Sequence, residues 1–217
     1  MTGQEIKELY EFLVDDSNVS VDNFLTMTRN EIQKLAINPQ QFEIFQTNDD
    51  SQTTTSGVPY ISLPTDFLQP IDLWIGDQNI KGIARRNRRL FRNSSYRYYI
   101  DWKNSRFVLT NNPTNSQIVY IDYIYQPNNV ELDVDLEITI PGFKKAFHPL
   151  LAYNMAETFF YQDTGSKVDS WDREHKTKKE EIMKMFIEWD QMLKITAQNS
   201  AIIDVSAPTN NPNVIDE

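Results

Sequence analysis

The sequence predicts an α+β fold that is mainly helical, with a small antiparallel sheet in the middle of the chain. Near both ends, apolar residues recur at spacings of three and four, which is typical of amphipathic helices. Between about residues 58 and 127 the pattern changes to short extended runs separated by turn residues, which indicates paired strands. We therefore divide the chain into four parts: N-terminal helices and a loop (residues 1–57), a central β domain (58–139), a C-terminal helical pair (140–199) and an extended or disordered C-terminal arm (200–217).

The N-terminal part contains two predicted helices and a further helical piece. Apolar residues from position 6 to position 13 share one face of the first helix, which should end near Asp15. Ser20 is placed to cap the second helix. Asn38 precedes a proline and can cap a third helical piece that reaches residue 45. The polar run over residues 47–57 predicts a loop.

The central part contains about five predicted strands, enough for a small sheet with one covered face. Turn residues at 76–79 join a first hairpin, and turn residues at 103–105 join a second. A long strand rich in tyrosine and isoleucine follows over residues 117–125.

Two long helices are predicted in the third part. Pro141 should begin the first helix, Pro149 should bend it, and Gly165 should end it. Ser166 is placed to cap the second helix, which carries a continuous apolar stripe. Because a tight turn joins the two helices, we expect them to lie antiparallel.

The composition excludes several classes of chemistry. The chain has 217 residues and no cysteine, so thiol catalysis, iron–sulfur clusters and cysteine-ligated zinc are impossible. The six glycines form neither a phosphate-binding loop nor a nucleophile elbow, and the two histidines fall in separate predicted helices. We predict a non-enzyme with no catalytic residue, no metal and no cofactor. The absence of a long apolar run and of a signal-peptide pattern predicts a soluble protein that is not exported and does not bind membranes.

The charge is unevenly distributed along the chain. The net charge is −10, yet residues 81–106 hold nine basic side chains and one acid. Five arginines form the centre of this segment: Arg85, Arg86, Arg88, Arg89 and Arg92. Such a cluster can bind an acidic protein surface, including that of another copy, or a nucleic acid, since aromatic residues follow it. Solvated loop charge is the remaining interpretation.

An acidic row lies at the end of the central part. Carboxylates alternate with aliphatic residues, which could align them on one face of a strand. The row consists of Glu131, Asp133, Asp135 and Glu137. Aligned carboxylates can bind magnesium or calcium, but alternation is also typical of a half-buried edge strand, which we favour. In that case the row could receive the arginines of a neighbouring copy.

The order of these parts carries a resemblance. The phrase Leu-Pro-Thr-Asp-Phe-Leu-Gln-Pro-Ile occupies residues 63–71, and Ile140-Pro141 is followed by Phe143 and residues 144–147 in a helix start of the form Ile-Pro-x-Phe-x-x-Ala-Phe. Together with the helical ends and the tyrosine-rich centre, these phrases resemble the head-to-tail adaptor proteins of tailed bacteriophages. The resemblance covers most of residues 1–199.

This resemblance implies a structural virion protein of the phage neck, made in the host bacterial cytoplasm. It would bind the portal protein, form a ring that is dodecameric in that family, and offer a platform to the tail or to a second ring protein. Packaged DNA would pass through the ring without sequence-specific binding. The alternative is a nucleic-acid-binding accessory protein that uses the arginine cluster.

Two groups of residues are the expected contact sites in the adaptor interpretation. The arginine cluster and the acidic row would lie at an intersubunit or tail interface. Apolar residues of the C-terminal arm would bind the portal or a neighbouring subunit. These arm residues are Ile202, Ile203, Val205, Val214 and Ile215.

Overall fold

The computed structural model describes residues 1–16, 18–91, 96–127, 130–163 and 169–205. Within these ranges, helices lie near both ends of the chain and two small sheets lie between them, so the α+β prediction is confirmed. No helix in the described ranges combines the length and the apolar character needed to cross a membrane.

The first two helices match their predictions. Helix α1 (Gly3–Val14) begins with a capping box, in which the Thr2 side chain accepts a hydrogen bond from the Glu5 N–H and the Glu5 side chain accepts one from the Thr2 N–H. It ends at Asp15, whose backbone is left-handed (φ 52°). Helix α2 (Val21–Ala36) is capped by Ser20, which accepts a hydrogen bond from the Asn23 N–H.

The central part forms two four-stranded sheets within the described residues, whereas the sequence predicts a single sheet of about five strands. One sheet has the order β1-β8-β3-β4 and the other the order β2-β7-β6-β5. Neighbouring strands are antiparallel except β5 and β6, which are parallel. The strands are β1 (Gln46–Thr53), β2 (Tyr60–Ser62), β3 (Phe67–Ile75), β4 (Gln78–Asn79), β5 (Lys81–Gly82), β6 (Arg97–Asp101), β7 (Arg106–Leu109) and β8 (Ile118–Tyr125).

The second predicted hairpin and the long tyrosine-rich strand are confirmed. The first hairpin forms with a shorter turn than predicted, because residues 78–79 form β4 and residues 81–82 join the other sheet as β5. Strands β3 and β4 pair Ile75 with Gln78 across a turn at Gly76, whose φ is 55°. Strands β6 and β7 pair Asp101 with Arg106. Strands β4 and β5 have two residues each, which leaves too little alternation for the sequence to indicate them.

Strand β1 corrects the prediction of a helical piece followed by a loop. Only one 3₁₀ turn forms, at Glu43–Phe45, and the polar run that follows begins with a strand. The strand exists because β8 supplies its hydrogen-bond partners, with Gln46 opposite Ile124 and Thr53 opposite Ile118. At the edge of a sheet, polar side chains are tolerated on both faces, so the sequence shows no alternation.

The two sheets face each other across one hydrophobic cluster. Every second residue of β8 points into it, as do the facing residues of the opposite sheet. The buried members include Leu73, Ile75, Val119, Ile121 and Tyr123 from the first sheet and Ile61, Tyr98, Phe107 and Leu109 from the second.

The helices enclose a second hydrophobic cluster. Phe186 is fully buried at its centre, and its ring centroid lies 4.6 Å from that of Phe42 and 5.2 Å from that of Phe147. Ile124 of β8 is also fully buried in this cluster. Strand β8 therefore contributes side chains to both clusters.

Residues 130–139 do not form the predicted edge strand. They run through turns into a short helix, α3 (Leu136–Thr139), which Asp135 caps by accepting a hydrogen bond from the Glu137 N–H. The backbone of this segment packs on the start of α1, where the Gln4 N–H donates to the Leu132 carbonyl. Because its backbone groups are used by α1 and α3, the alternating pattern does not produce a strand.

The start of the third part also differs from the prediction. Pro141 lies in a turn with Gly142, whose φ is 88°, and helix α4 (Pro149–Asp163) begins eight positions later than predicted, at Pro149. A proline suits the first helical position because its missing N–H would be unpaired there anyway. Pro149 therefore begins the helix and does not bend it.

A long final helix, α5 (Asp169–Val205), confirms the second helix of the pair. Gly165 and Ser166 lie outside the described residues, and the antiparallel arrangement stays a prediction. The helix continues through residues 200–205, where the sequence predicts an extended or disordered arm. No glycine or proline interrupts the chain between Asp169 and Val205, so no residue there breaks the helix.

Candidate interaction surfaces

Four of the clustered arginines lie on an exposed loop. Residues Arg85–Phe91 form a 3₁₀ helix, which we call the arginine loop. Its four arginine side chains are all exposed, and no described carboxylate lies within ion-pair distance of their guanidinium groups. They are Arg85, Arg86, Arg88 and Arg89. Arg92 lies outside the described residues.

The arginine loop also presents an apolar side chain to solvent. Leu90 is 78% exposed, among the highest values for a large hydrophobic residue in the described chain. The loop is held at both ends, because the Ile83 N–H donates to the Tyr98 carbonyl at 2.7 Å and the Arg97 guanidinium lies 5.9 Å from the centre of the Phe91 ring. The exposed arginines and leucine are thus displayed from a fixed base on the second sheet.

An open groove of about 540 Å³ lies beside the base of this loop. Tyr98 and Tyr99 line it together with Trp102, which is 61% exposed. Arg85 and Lys103 add positive charge to its rim. The groove combines cationic and aromatic side chains, as the arginine and aromatic residues of the sequence predict.

Asp101 lies next to this groove but is fully engaged within the chain. Its carboxylate accepts hydrogen bonds from Asn104 at 2.7 Å and from Arg106 at 3.4 Å. The hydrogen bond from Asn104 first, and the positive charges of Arg106 and Arg85 in addition, hold the pKa of Asp101 below its usual value. The Arg106 guanidinium also lies 3.9 Å from the centre of the Tyr60 ring, so its interactions are with residues of its own chain.

A second exposed surface lies on the side of the first sheet that faces away from the sheet cluster. In β8, residues 119, 121 and 123 point inward, so residues 118, 120 and 122 point outward. Register pairs extend this surface across neighbouring strands. We call it the outer sheet face, and it consists of Asn48, Asp72, Trp74, Ile118, Tyr120 and Asp122.

The outer sheet face exposes large apolar side chains. Trp74 is 37% exposed and lies directly opposite Tyr120, which is 39% exposed. Ile118 is 49% exposed on the same face. An aromatic pair with a neighbouring isoleucine is the composition of an interface core more than of a solvated sheet surface.

The same face carries two opposed carboxylates. Asp72 of β3 and Asp122 of β8 are register partners. Asp72 accepts a hydrogen bond from Asn79 at 3.0 Å and lies 3.8 Å from the Lys81 ammonium. Asp122 has neither a hydrogen bond nor an ion pair with any described side chain, and burial first and the charge of Asp72 second raise its pKa.

Sequence reasoning missed this carboxylate pair. Both residues lie in correctly predicted strands, but only the strand register brings them together. The alternation in β8 places Asp122 with Ile118 and Tyr120 on the face opposite the core, and this pattern could have identified the surface.

The acidic row is dispersed by the structure. Glu131 and Asp133 are exposed in turns, and Glu137 pairs with Lys144 at 3.1 Å. Asp135 accepts the hydrogen bond that caps α3 and also binds the Met1 amino group at 3.2 Å, and both contacts lower its pKa, the cap first. The four carboxylates therefore do not form one aligned row. No cluster of histidine and acidic residues suited to a metal ion occurs in the parts of the chain that the structure describes.

His148 is a core side chain, as predicted. It is fully buried, and its Nε2 lies 2.6 Å from the Phe143 carbonyl, which can only accept a hydrogen bond. Nε2 therefore carries the proton, and Nδ1 accepts from the Met1 amino group at 2.9 Å. Burial is the main reason that the pKa of His148 is lowered. His175 of α5 lies near Tyr153, with 6.0 Å between ring centroids.

The predicted arm residues are not part of a described surface. Ile202, Ile203 and Val205 belong to the last turns of α5, but their side chains lie outside what the structure describes. Val214 and Ile215 lie beyond the described residues altogether.

The sequence was compared with known protein families and with curated proteins. The sequence model of the SU10 adaptor protein family, a family of phage head-to-tail adaptors, matches residues 1–198. No curated protein matches the chain. The matched region includes both sheets, the arginine loop, the outer sheet face and nearly all of α5.

Proposed function

The chain belongs to the SU10 adaptor protein family, and from this premise we propose that it is the head-to-tail adaptor of a phage neck, bound to the portal as a ring of identical subunits. The coarser statement follows from the family alone: the chain is a structural phage adaptor and a virion component that acts with portal and tail proteins. The ring, its dodecameric copy number and its position in the neck are our proposal. The ring extends the DNA channel and offers a platform to the tail.

The observation that carries this proposal is the family match over residues 1–198 of a 217-residue chain. Because the match spans almost the whole chain, it is not confined to one shared motif. The family is one of structural phage adaptors, which supports a structural role.

Ring closure requires two different complementary surfaces on each subunit. The arginine loop supplies a cationic surface, and the rest of the chain has an excess of acidic residues. We propose that the arginine loop and Arg92 lie at an intersubunit or tail interface, with Glu131, Asp133, Asp135 and Glu137 as candidate acidic contacts. The exposure of Arg88, Arg89, Glu131 and Asp133 supports this assignment.

The C-terminal residues provide the second proposed contact. Helix α5 runs to Val205, and the sequence beyond it includes Val214 and Ile215. We propose that Ile202, Ile203, Val205, Val214 and Ile215 bind the portal or a neighbouring subunit.

The proposal is tested by measuring the mass of the purified chain alone and with its cognate portal, by light scattering at moderate and high salt. We expect a defined multimer of the chain on the portal. If the chain fails to bind the portal, the adaptor proposal is wrong. If it instead binds DNA in a salt-dependent way, the arginine cluster serves a nucleic-acid-binding accessory protein.

A further inference from the structure

Contacts within the chain leave the outer sheet face with two opposed carboxylates and with exposed apolar side chains. Asp72 and Asp122 lie directly opposite each other on adjacent strands, where like charges destabilise a sheet. Lys81 approaches Asp72 at 3.8 Å, but Asp122 has no described cationic partner. Beside the carboxylates, Trp74, Tyr120 and Ile118 stay between 37% and 49% exposed. A bound group that is both cationic and partly apolar would offset the repulsion between the two carboxylates and cover the exposed apolar side chains.

The arginine loop has the matching composition. A guanidinium group can pair with a carboxylate and also stack on an aromatic ring, so it fits a surface that offers both within one sheet face. Arg85, Arg86, Arg88 and Arg89 are exposed and lack ion-pair partners in the described chain. Leu90, at 78% exposure, supplies an apolar side chain that can pack against Trp74 and Tyr120.

None of the described arginines of the loop forms an ion pair with Asp72 or Asp122 of its own chain. The charge of Arg85 acts on Asp101, at the end of β6 in the second sheet. Burial and the charge of Asp72 raise the pKa of Asp122. Lys81 of the same chain reaches Asp72 but not Asp122, so the outer sheet face keeps a carboxylate that a cationic group of a second molecule can bind.

We propose that the arginine loop of one subunit docks on the outer sheet face of the next subunit, with arginines between Asp72 and Asp122 and with Leu90 against Trp74 and Tyr120. This inference rests on the proposed function only in requiring several copies side by side. It replaces the dispersed acidic row with a specific acceptor surface. Because loop and face are different surfaces, each docked subunit still offers one of each, which allows a closed ring.

The chain contains no cysteine, so a pair of introduced cysteines gives an unambiguous cross-linking test. Leu90→Cys places a thiol on the arginine loop and leaves every arginine in place. Asn48→Cys, made in a separate tagged chain, places a thiol opposite Asp122 on the exposed edge of the face. The two chains are mixed, bound to the portal and treated with a short bismaleimide. The control replaces Asn48→Cys with Glu131→Cys, an exposed position in the acidic row.

We expect the Leu90–Asn48 pair to cross-link at least about tenfold more than the Leu90–Glu131 pair. Asp122→Arg in the tagged chain should abolish the cross-link, and Arg88→Glu with Arg89→Glu in the other chain should restore it. If the Leu90–Glu131 pair reacts equally well, or if the Leu90–Asn48 pair does not react, the docking proposal is wrong.

The same mixture separates this proposal from the proposed function. A chain that binds the portal but gives no Leu90–Asn48 cross-link overturns the docking contact and leaves the adaptor function intact. If the chain does not bind the portal, the cross-linking is repeated on the concentrated free protein, where a positive result supports the docking contact alone. Absence of the cross-link under both conditions overturns it.

Discussion

Asp190 of α5 accepts a hydrogen bond at 2.6 Å from the backbone N–H of Glu43, which lies 147 positions earlier in the chain. The Asp190 carboxylate is only 2% exposed, and its second oxygen pairs with Lys194 at 2.9 Å. Lys194 in turn donates to the Gln40 carbonyl. The long helix thereby caps the 3₁₀ turn that leads into β1 and ties itself to the first sheet.

Asp190→Ala should lower the free energy of unfolding by about 1–3 kcal/mol, because it leaves the half-buried Glu43 N–H without its acceptor. Asp190→Asn keeps an acceptor oxygen and should cost less. Glu188→Ala, two positions away and exposed, is the matched control. Chemical denaturation of the three variants measures the difference. Equal losses for Asp190→Ala and Glu188→Ala would contradict the role assigned to this contact.

Gly3→Ala should destabilise the contact between α1 and residues 130–132. A Cβ at this position would lie 2.4 Å from the Glu131 carbonyl oxygen, a backbone atom that cannot move aside freely. We expect a loss of about 1–3 kcal/mol, the usual cost of overpacking, although alanine is the better helix former. Thermal unfolding measures it, with Glu8→Ala on the exposed side of α1 as the control. An unchanged melting temperature would show that the segment shifts without cost.

Asp122→Asn should stabilise the isolated chain at neutral pH. The raised pKa of Asp122 means that its neutral form favours folding, so this stability is present below the unfolded pKa and is lost as pH rises through the folded pKa. Asparagine at position 122 carries no charge, so the variant does not lose this folding stability as pH rises. We expect a gain of about 0.5 kcal/mol at pH 7 that shrinks toward pH 4. Denaturation at both pH values measures it, and a difference that does not depend on pH would contradict the electrostatic cause.

The double change Arg88→Glu with Arg89→Glu should abolish assembly on the portal without unfolding the subunit. Both side chains are exposed and unpaired with described carboxylates, so their removal costs the isolated chain little. Circular dichroism checks the fold, and light scattering with the portal measures assembly. The control, Arg29→Glu with Lys176→Glu, makes the same charge change at exposed positions on α2 and α5. Normal assembly of the loop variant would remove the arginine loop from the interface.

Removing residues 206–217 should weaken portal binding and leave the described fold intact. The deleted segment starts after the end of α5, so it takes away Val214 and Ile215 but no residue of the helix. A full-length chain with Val214→Ser and Ile215→Ser is the companion variant, since it keeps the length and removes the apolar side chains. Both variants are compared with the unmodified chain by titration against the portal. Wild-type affinity in both would exclude the segment as a portal contact.

The sequence predicts most elements whose residues follow a regular pattern. Helices α1 and α2, the hairpin of β6 and β7 and strand β8 lie where periodicity, turn residues and caps place them. Strand β1 is missed because its pairing with β8 is a long-range event that polar residues do not indicate. The acidic row is wrongly predicted to be a strand for the opposite reason. Its alternation is regular, but its backbone groups form hydrogen bonds with α1 and within α3.

Of the two candidate surfaces, the sequence predicts one, and the other depends on long-range strand pairing. Clustered arginines predict an exposed cationic loop, because several neighbouring guanidinium groups are costly to bury together. The outer sheet face depends on the register between β3 and β8, which brings Asp72 opposite Asp122 and Trp74 opposite Tyr120. Two bulges in the pairing of β3 with β8 shift the register, so the residues that lie opposite each other could not be found by counting along the sequence.

Strand β8 has a mechanical consequence. Ile121 is buried in the sheet cluster and Ile124, three positions later, in the helical cluster. Because one strand supplies fully buried side chains to both clusters, we expect the described chain to unfold in a single cooperative transition. A load applied to the sheet therefore reaches the helices through the covalent backbone of β8 and its hydrogen bonds to β1 and β3. The two halves of the subunit cannot yield to tension separately.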